Sequence, residues 1–139
     1  QSKNFLIPRI IGQLRYRKIK LKDPKPKRDF IYISDIIDVF IKSAMFSGNF
    51  EVFNIGYGKS YSVEEIVDRI VRLYGKNVKV GYSGERRKHE VMDTVADIRK
   101  AKELMGWTPA VPLNEGLQRT MKWFFERNKI NEIEGALVH

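Results

Sequence analysis

The sequence contains no cysteine. Disulfides and cysteine-based metal sites are therefore excluded. Histidine is almost as scarce. His89 and His139 are too few for a multi-histidine metal centre, and His139, as the last residue, is assigned no role. No metal site is expected. No apolar run approaches the length of a transmembrane helix, and no signal peptide reads at Gln1. Internal repeats and low-complexity segments are also lacking. These absences fit a cytoplasmic protein with no membrane partner.

What is present is an ordinary globular composition. At 139 residues with 42% hydrophobic side chains, the chain is long and apolar enough for one core, which excludes disorder. Its formal net charge is +9. An excess of that sign favours anionic partners, either nucleic acid or a nucleotide diphosphate, against the simpler reading of a basic solvated surface. The densest cluster is Lys20, Lys22, Lys25, Lys27 and Arg28. No zinc-finger or ribonucleoprotein motif accompanies it, and the basic residues lie in separate segments, which weighs against nucleic acid.

Periodicity places the elements. Asn4 to Tyr16 reads as a helix with Leu6, Ile7, Ile10, Ile11 and Leu14 as its stripe, Pro8 being tolerated in the first turn. A chain that starts without methionine, almost inside a helix, reads as truncated. Ile19 to Leu21 reads as a strand, and Asp23-Pro24-Lys25-Pro26 as a turn. Glu51 to Gly56 reads as a strand leading into the Gly56-Tyr57-Gly58 turn. Ser62-Val63-Glu64-Glu65 is a capping box for a helix that buries Val63, Ile66, Val67, Ile70 and Tyr74 and stops at Gly75. Val78 to Tyr82 alternates as a strand, and a charged loop runs from Ser83 to Glu90. Asp97 is positioned to cap a short helix with Ile98, Ala101, Leu104 and Met105 inward and Gly106 at its end. A last helix spans about Leu113 to Asn128, with a frayed tail over 130–139.

One stretch organises the rest: Arg28-Asp29-Phe30-Ile31-Tyr32-Ile33-Ser34-Asp35. Phe30 to Ile33 has the aromatic and β-branched alternation of a strand. Ser34 and Asp35 offer oxygens to a helix start. The helix after them sets Ile36, Ile37, Phe40, Ile41, Ala44 and Met45 on one face, expected to be buried. Arg28 then lies at the mouth of a strand, where a fixed guanidinium can meet an anion. The competing reading pairs it with Asp29 or Asp35 at the surface.

The same stretch resembles the Arg-Asp-(aromatic)-Ile-(aromatic)-Val-x-Asp segment of the extended short-chain dehydrogenase/reductases, the NAD-dependent nucleotide-sugar epimerases and dehydratases. Later blocks repeat the resemblance in order: Asn54-Ile55-Gly56-x-Gly58, Ala96-Asp97-x-x-Lys100-Ala101, Leu104-Met105-Gly106-Trp107-Thr108-Pro109, and Leu113-x-Glu115-Gly116-Leu117. It covers Asn4 to Glu126. It implies an α/β fold, the carboxy-terminal part of a Rossmann-type enzyme, with helices packed on a few short strands over residues 1–129. The amino-terminal Rossmann part would be missing. The strand Val52 to Ile55 would then sit at the edge of the missing parallel sheet, with its apolar side open to self-association into a homo-oligomer.

For the site, the resemblance implies that Arg28 and Arg87 hold a nucleotide diphosphate and that Glu90 accepts from the ribose hydroxyls. It places Asn4 to Pro8 along the diphosphate and base, with Asn4 and Leu6 as contacts. Phe5 is open to stacking on a base or packing inward. A planar guanidinium suits this task because it grips phosphate oxygens in pairs, at roughly 1.5–3 kcal/mol for each charge-assisted hydrogen bond in a dry site. Two departures stand out. Asp23-Pro24-Lys25-Pro26 replaces a glycine-rich turn, and Lys88-His89 replaces Pro-Gly in the late loop, loosening it and leaving Arg86 as a substitute for Arg87.

Equally informative is what the resemblance leaves out. No three-glycine dinucleotide fingerprint opens a helix after a first strand. No Tyr-x-x-x-Lys pair stands where the family has its acid/base. Tyr16 and Lys20 have that spacing but lie beyond the expected position. No catalytic residue and no NAD site are therefore expected in this chain, although the full-length parent would use NAD to act on a sugar ring through a transient keto-sugar. The expectation is a nucleotide-sugar-binding part, inactive alone. The alternative is a non-enzymatic basic domain that binds anions or nucleic acid.

Overall fold

The structure, a computed structural model, describes the backbone of residues 5–48 and 50–137 and the side-chain surroundings through residue 127. Helix α1 (Leu6–Gln13) runs into a 3-10 turn (Leu14–Tyr16) and strand β1 (Lys18–Leu21). Then come β2 (Lys27–Asp29), α2 (Ile33–Ala44), β3 (Ser60–Ser62), α3 (Val63–Tyr74) and β4 (Lys79–Tyr82). The chain closes with β5 (Asp93–Thr94), α4 (Arg99–Met105) and α5 (Leu113–Leu137). This is an α/β chain with helices on a few short strands. β1 and β4 form a parallel pair, and β3-β2-β5 form a second small sheet with β2 in its centre, antiparallel to β3 and parallel to β5.

The main core is the meeting of the apolar faces of α1, α3 and α5 over β1. Ile10, Ile11, Leu14, Ile19, Ile66, Val67, Ile70 and Leu117 are buried there. A smaller second core gathers Val39, Ala101 and Trp107, with Phe53, Ile55 and Ile98 against them. Among the described residues no helix is long and apolar enough to cross a membrane, and no group of three metal-ligating side chains converges.

The capping box forms. Ser62 Oγ accepts from the Glu65 N–H at 3.1 Å, and Glu65 Oε2 accepts from the Ser62 N–H at 2.7 Å. The Pro26 and Pro24 carbonyls accept from the Val63 and Glu64 N–H groups, so the stiff proline turn serves the same helix end. Gly75 closes α3 at φ 68°. The backbone hydrogen bond from Ser62 holds the Glu65 carboxyl below its ordinary value. A depressed carboxyl stabilises the fold above the ordinary glutamate range, and that contribution disappears as pH falls through the lowered value. Ser62→Ala is expected to cost about 1 kcal/mol in urea unfolding, and part of that difference fades in acid.

Several elements differ from the sequence reading. The strand expected at Phe30 to Ile33 lies earlier, at β2, because β3 and β5 pair with Lys27 and Arg28. Residues 30–32 are irregular, and Tyr32 is the N-cap of α2 with no side-chain cap bond. Asp35 does not cap. It is buried, and its Oδ2 accepts from the Val111 N–H at 3.1 Å, tying α2 to the approach to α5. The helix at 99 starts one residue late, with Ile98 at the N-cap. Asp97 instead accepts from the Arg99 N–H and side chain, and that pairing holds its carboxyl down at about 2. Leu104, expected inward, is exposed. Residues 51–56 form no strand. α5 continues to Leu137, past its expected end at Asn128. The face of α2 expected to be buried is largely open: Ile37, Phe40, Ile41 and Met45 are each more than half exposed.

Candidate functional site

β2 is three residues long, and two of them organise the site. Central pairing with β3 and β5 fixes its backbone, so Arg28 and Asp29 leave it in set directions. Arg28 Nη1 donates to the Lys27 carbonyl at 2.6 Å and to the Val91 carbonyl at 2.7 Å. Its Nη2 donates to Glu90 Oε1. Among the described residues the Nε–H and one Nη2–H have no partner, so two of the five guanidinium donors stay available. Arg28 pairs with neither Asp29 nor Asp35.

Glu90 is the hub. Its other oxygen, Oε2, lies 3.9 Å from Arg87 Nε. The Glu90 side chain is 18% exposed and that of Arg87 75%. The pairing thus joins a half-dry carboxylate to one anchored and one reaching guanidinium. Two cations against one carboxylate leave the cluster with an excess positive charge, which suits an anion.

The charged loop before Glu90 is tied down along its length. Ser83 and Gly84 donate backbone N–H groups to the Leu21 and Lys22 carbonyls. Lys22 Nζ meets Glu85 at 2.8 Å, and Arg86 Nε lies 3.5 Å from Asp23. Arg86 is thereby directed to the proline turn, and Arg87 is the one that reaches Glu90. His89 has φ 60°, a conformation that glycine adopts freely. Its place in the chain is the one where the resemblance expects glycine.

The remaining expected contacts separate. Leu6 is half buried and packs against the main core, so it acts structurally here. Phe5 is 60% exposed rather than packed inward. Asn4 lies outside the described residues.

A residue the sequence reading passed over holds the site together. Asp29 Oδ1 accepts from the Tyr57 N–H at 2.8 Å, and Oδ2 accepts from the Gly58 N–H at 2.9 Å and the Ala96 N–H at 3.1 Å. One carboxylate thus joins β2 to two loops. Gly56 is required beside it, since a Cβ there would lie 2.5 Å from both Asp29 Oδ2 and Ala96 Cβ. The Gly56-Tyr57-Gly58 signature was the available clue that a backbone approaches something closely. It does not fit a dinucleotide pyrophosphate, because the Tyr57 and Gly58 N–H groups that would cradle one are already given to Asp29.

An α/β chain whose basic cluster gathers at a strand end belongs to the broad class of anion-handling α/β proteins, and comparison narrows it. The profile of the GDP-mannose 4,6 dehydratase family matches residues 3–120, and the chain belongs to that family, among the extended short-chain dehydrogenase/reductases. It is 41% identical over 102 residues to the UDP-glucuronate 4-epimerase of Thermodesulfobacterium geofontis, a match over 73% of this chain and 31% of that protein. It superposes on MoeE5 in complex with UDP-glucose and NAD with a TM-score of 0.81 at 31% identity, covering 94% of this chain and 44% of that one. The UDP-glucuronic acid 4-epimerase of Bacillus cereus, in complex with UDP-glucuronic acid and NAD, gives 0.82 at 27% identity over 91% of this chain and 41% of that one. The chain thus spans less than half the length of each of these relatives.

Proposed function

We propose that this chain is the carboxy-terminal, nucleotide-sugar-binding part of a longer NAD-dependent epimerase or dehydratase. The observation that carries the reading is the convergence of Arg28, Arg87 and Glu90 from segments about 60 residues apart in sequence. Arg28 turns its two unengaged donors to the diphosphate, and Arg87 closes on it from the loop. Glu90 keeps Arg28 in place and offers its outer oxygen to ligand hydroxyls. Asn4 is retained as a further contact from the resemblance. NAD, held by the missing Rossmann half, supplies the hydride chemistry of the parent. This chain supplies charge and orientation and is inactive alone.

Calorimetric titration with a UDP-sugar, the free sugar and a short DNA duplex tests this. Wild type is expected to bind the UDP-sugar weakly, and Arg28→Ala to weaken it by at least about tenfold, the equivalent of one charge-assisted hydrogen bond. Binding of DNA alone, with steep salt dependence, would instead establish a basic nucleic-acid-binding domain. With its α2 stripe open, the isolated chain is expected to self-associate at high concentration. Strictly monomeric sedimentation there would contradict that.

A further inference from the structure

Two features of this chain are left without partners, and they adjoin each other. The first is a face of α2. Ile33, Ile37, Phe40 and Ile41 recur at i, i+4, i+7 and i+8 and are 61%, 54%, 69% and 58% exposed. The opposite side of the same helix buries Asp35 and Val39. The stripe is therefore not the helix's inner face misplaced; it is a second apolar face.

The second feature is the segment 51–55, Glu-Val-Phe-Asn-Ile. Its composition is that of a strand, yet it joins neither small sheet, and its backbone makes no hydrogen bond to another described residue. Val52 is 66% exposed. Phe53 and Ile55 fix the segment to the second core from one side. An apolar depression of about 150 Å³ links the two features, lined by Ile36, Phe40, Phe53, Ile55 and Met105 among others. Exposed apolar surface of this extent beside unpaired strand backbone marks a place of association.

The geometry points to one occupant: a β-sheet carried by the remainder of a longer polypeptide. We propose that an edge strand of that sheet pairs with residues 51–55 and that the face of the sheet covers the α2 stripe. A helix followed by a strand, with the helix's apolar side turned to the sheet the strand joins, is the usual economy of α/β layers. A helix cannot occupy both features, because it offers no ladder to 51–55. The relatives have more than half of their length outside the matched part, enough to carry such a sheet. The inference rests on the reading of this chain as part of a longer enzyme.

The test compares two proteins by hydrogen exchange. One is the isolated chain at a dilution where it sediments as a monomer. The other is a full-length chimera in which this chain replaces its counterpart in the Thermodesulfobacterium geofontis epimerase. Amides within 52–55 are expected to exchange at least about tenfold more slowly in the chimera. Phe40→Asp is expected to lower the chimera's unfolding temperature and leave that of the isolated chain unchanged. Equal exchange in both proteins would overturn the proposal, as would a chimera that fails to fold. Protection that instead rises with concentration of the isolated chain makes a second copy the occupant and overturns it too. A chimera protected at 52–55 that does not bind UDP-glucuronate sinks the proposed function and leaves this interface standing. Binding without protection has the opposite meaning.

Discussion

Asp29→Ala is expected to destabilise the chain by about 3 kcal/mol or more in urea unfolding, the sum of lost charge-assisted hydrogen bonds and stranded donors. The reason is a count of partners. Three N–H groups, of Tyr57, Gly58 and Ala96, converge on this one carboxylate, and truncation leaves all three without an acceptor at once. Those at Tyr57 and Ala96 are partly buried, where water replaces the acceptor poorly. Asp29→Asn keeps one acceptor oxygen and should lose less than Ala. The effect should reach the site as well, since β2 carries Arg28 next to Asp29 and the Ala96 link follows β5. A loss below about 1 kcal/mol, the worth of one ordinary hydrogen bond, would show that Asp29 is not the clamp described.

Trp107→Ala is the second large effect, expected at about 3–5 kcal/mol. Trp107 is fully buried and is the largest side chain in the second core. That core is small, so few neighbours can close the gap. α2 is held to the body mainly by Val39 in this core and by Asp35 on Val111, so loss of Trp107 should loosen α2. Trp107→Phe is the informative companion. The indole Nε1 is buried with no acceptor among the described residues, so Phe removes volume without breaking a bond. Phe should therefore cost much less than Ala, measured by denaturation and by near-ultraviolet dichroism. Equal losses would mean that the indole nitrogen has a partner after all.

Much of the molecule was legible locally. Helices α1, α3 and α5 follow from apolar periodicity, because each packs its stripe on the same core. The capping box and Gly75 bound α3 through contacts within a few residues, and Gly106 ends α4 the same way. The family was legible as well, since its signature blocks stand in order along the chain. Arg28, Arg87 and Glu90 were found through that resemblance rather than through any pattern of their own.

Tertiary structure decided the rest, and in each case the cause is a partner distant in sequence. Lys27 to Asp29 became the strand instead of Phe30 to Ile33 because β3 and β5, more than 30 and 60 residues on, supply the ladder there. Asp29 and Asp35 looked like surface or capping carboxylates, but acceptors were needed by N–H groups of residues 57, 58, 96 and 111. Arg28 was directed to Glu90, and Arg86 away from it to Asp23, by the path of a loop that local sequence leaves open. The sequence by itself determined which segments are helical, where α3 and α4 stop, and to which family the chain belongs, since these depend on neighbours along the chain. Only the tertiary structure decided which carboxylate serves which donor and which apolar face stays uncovered, because those depend on groups the chain brings together from afar.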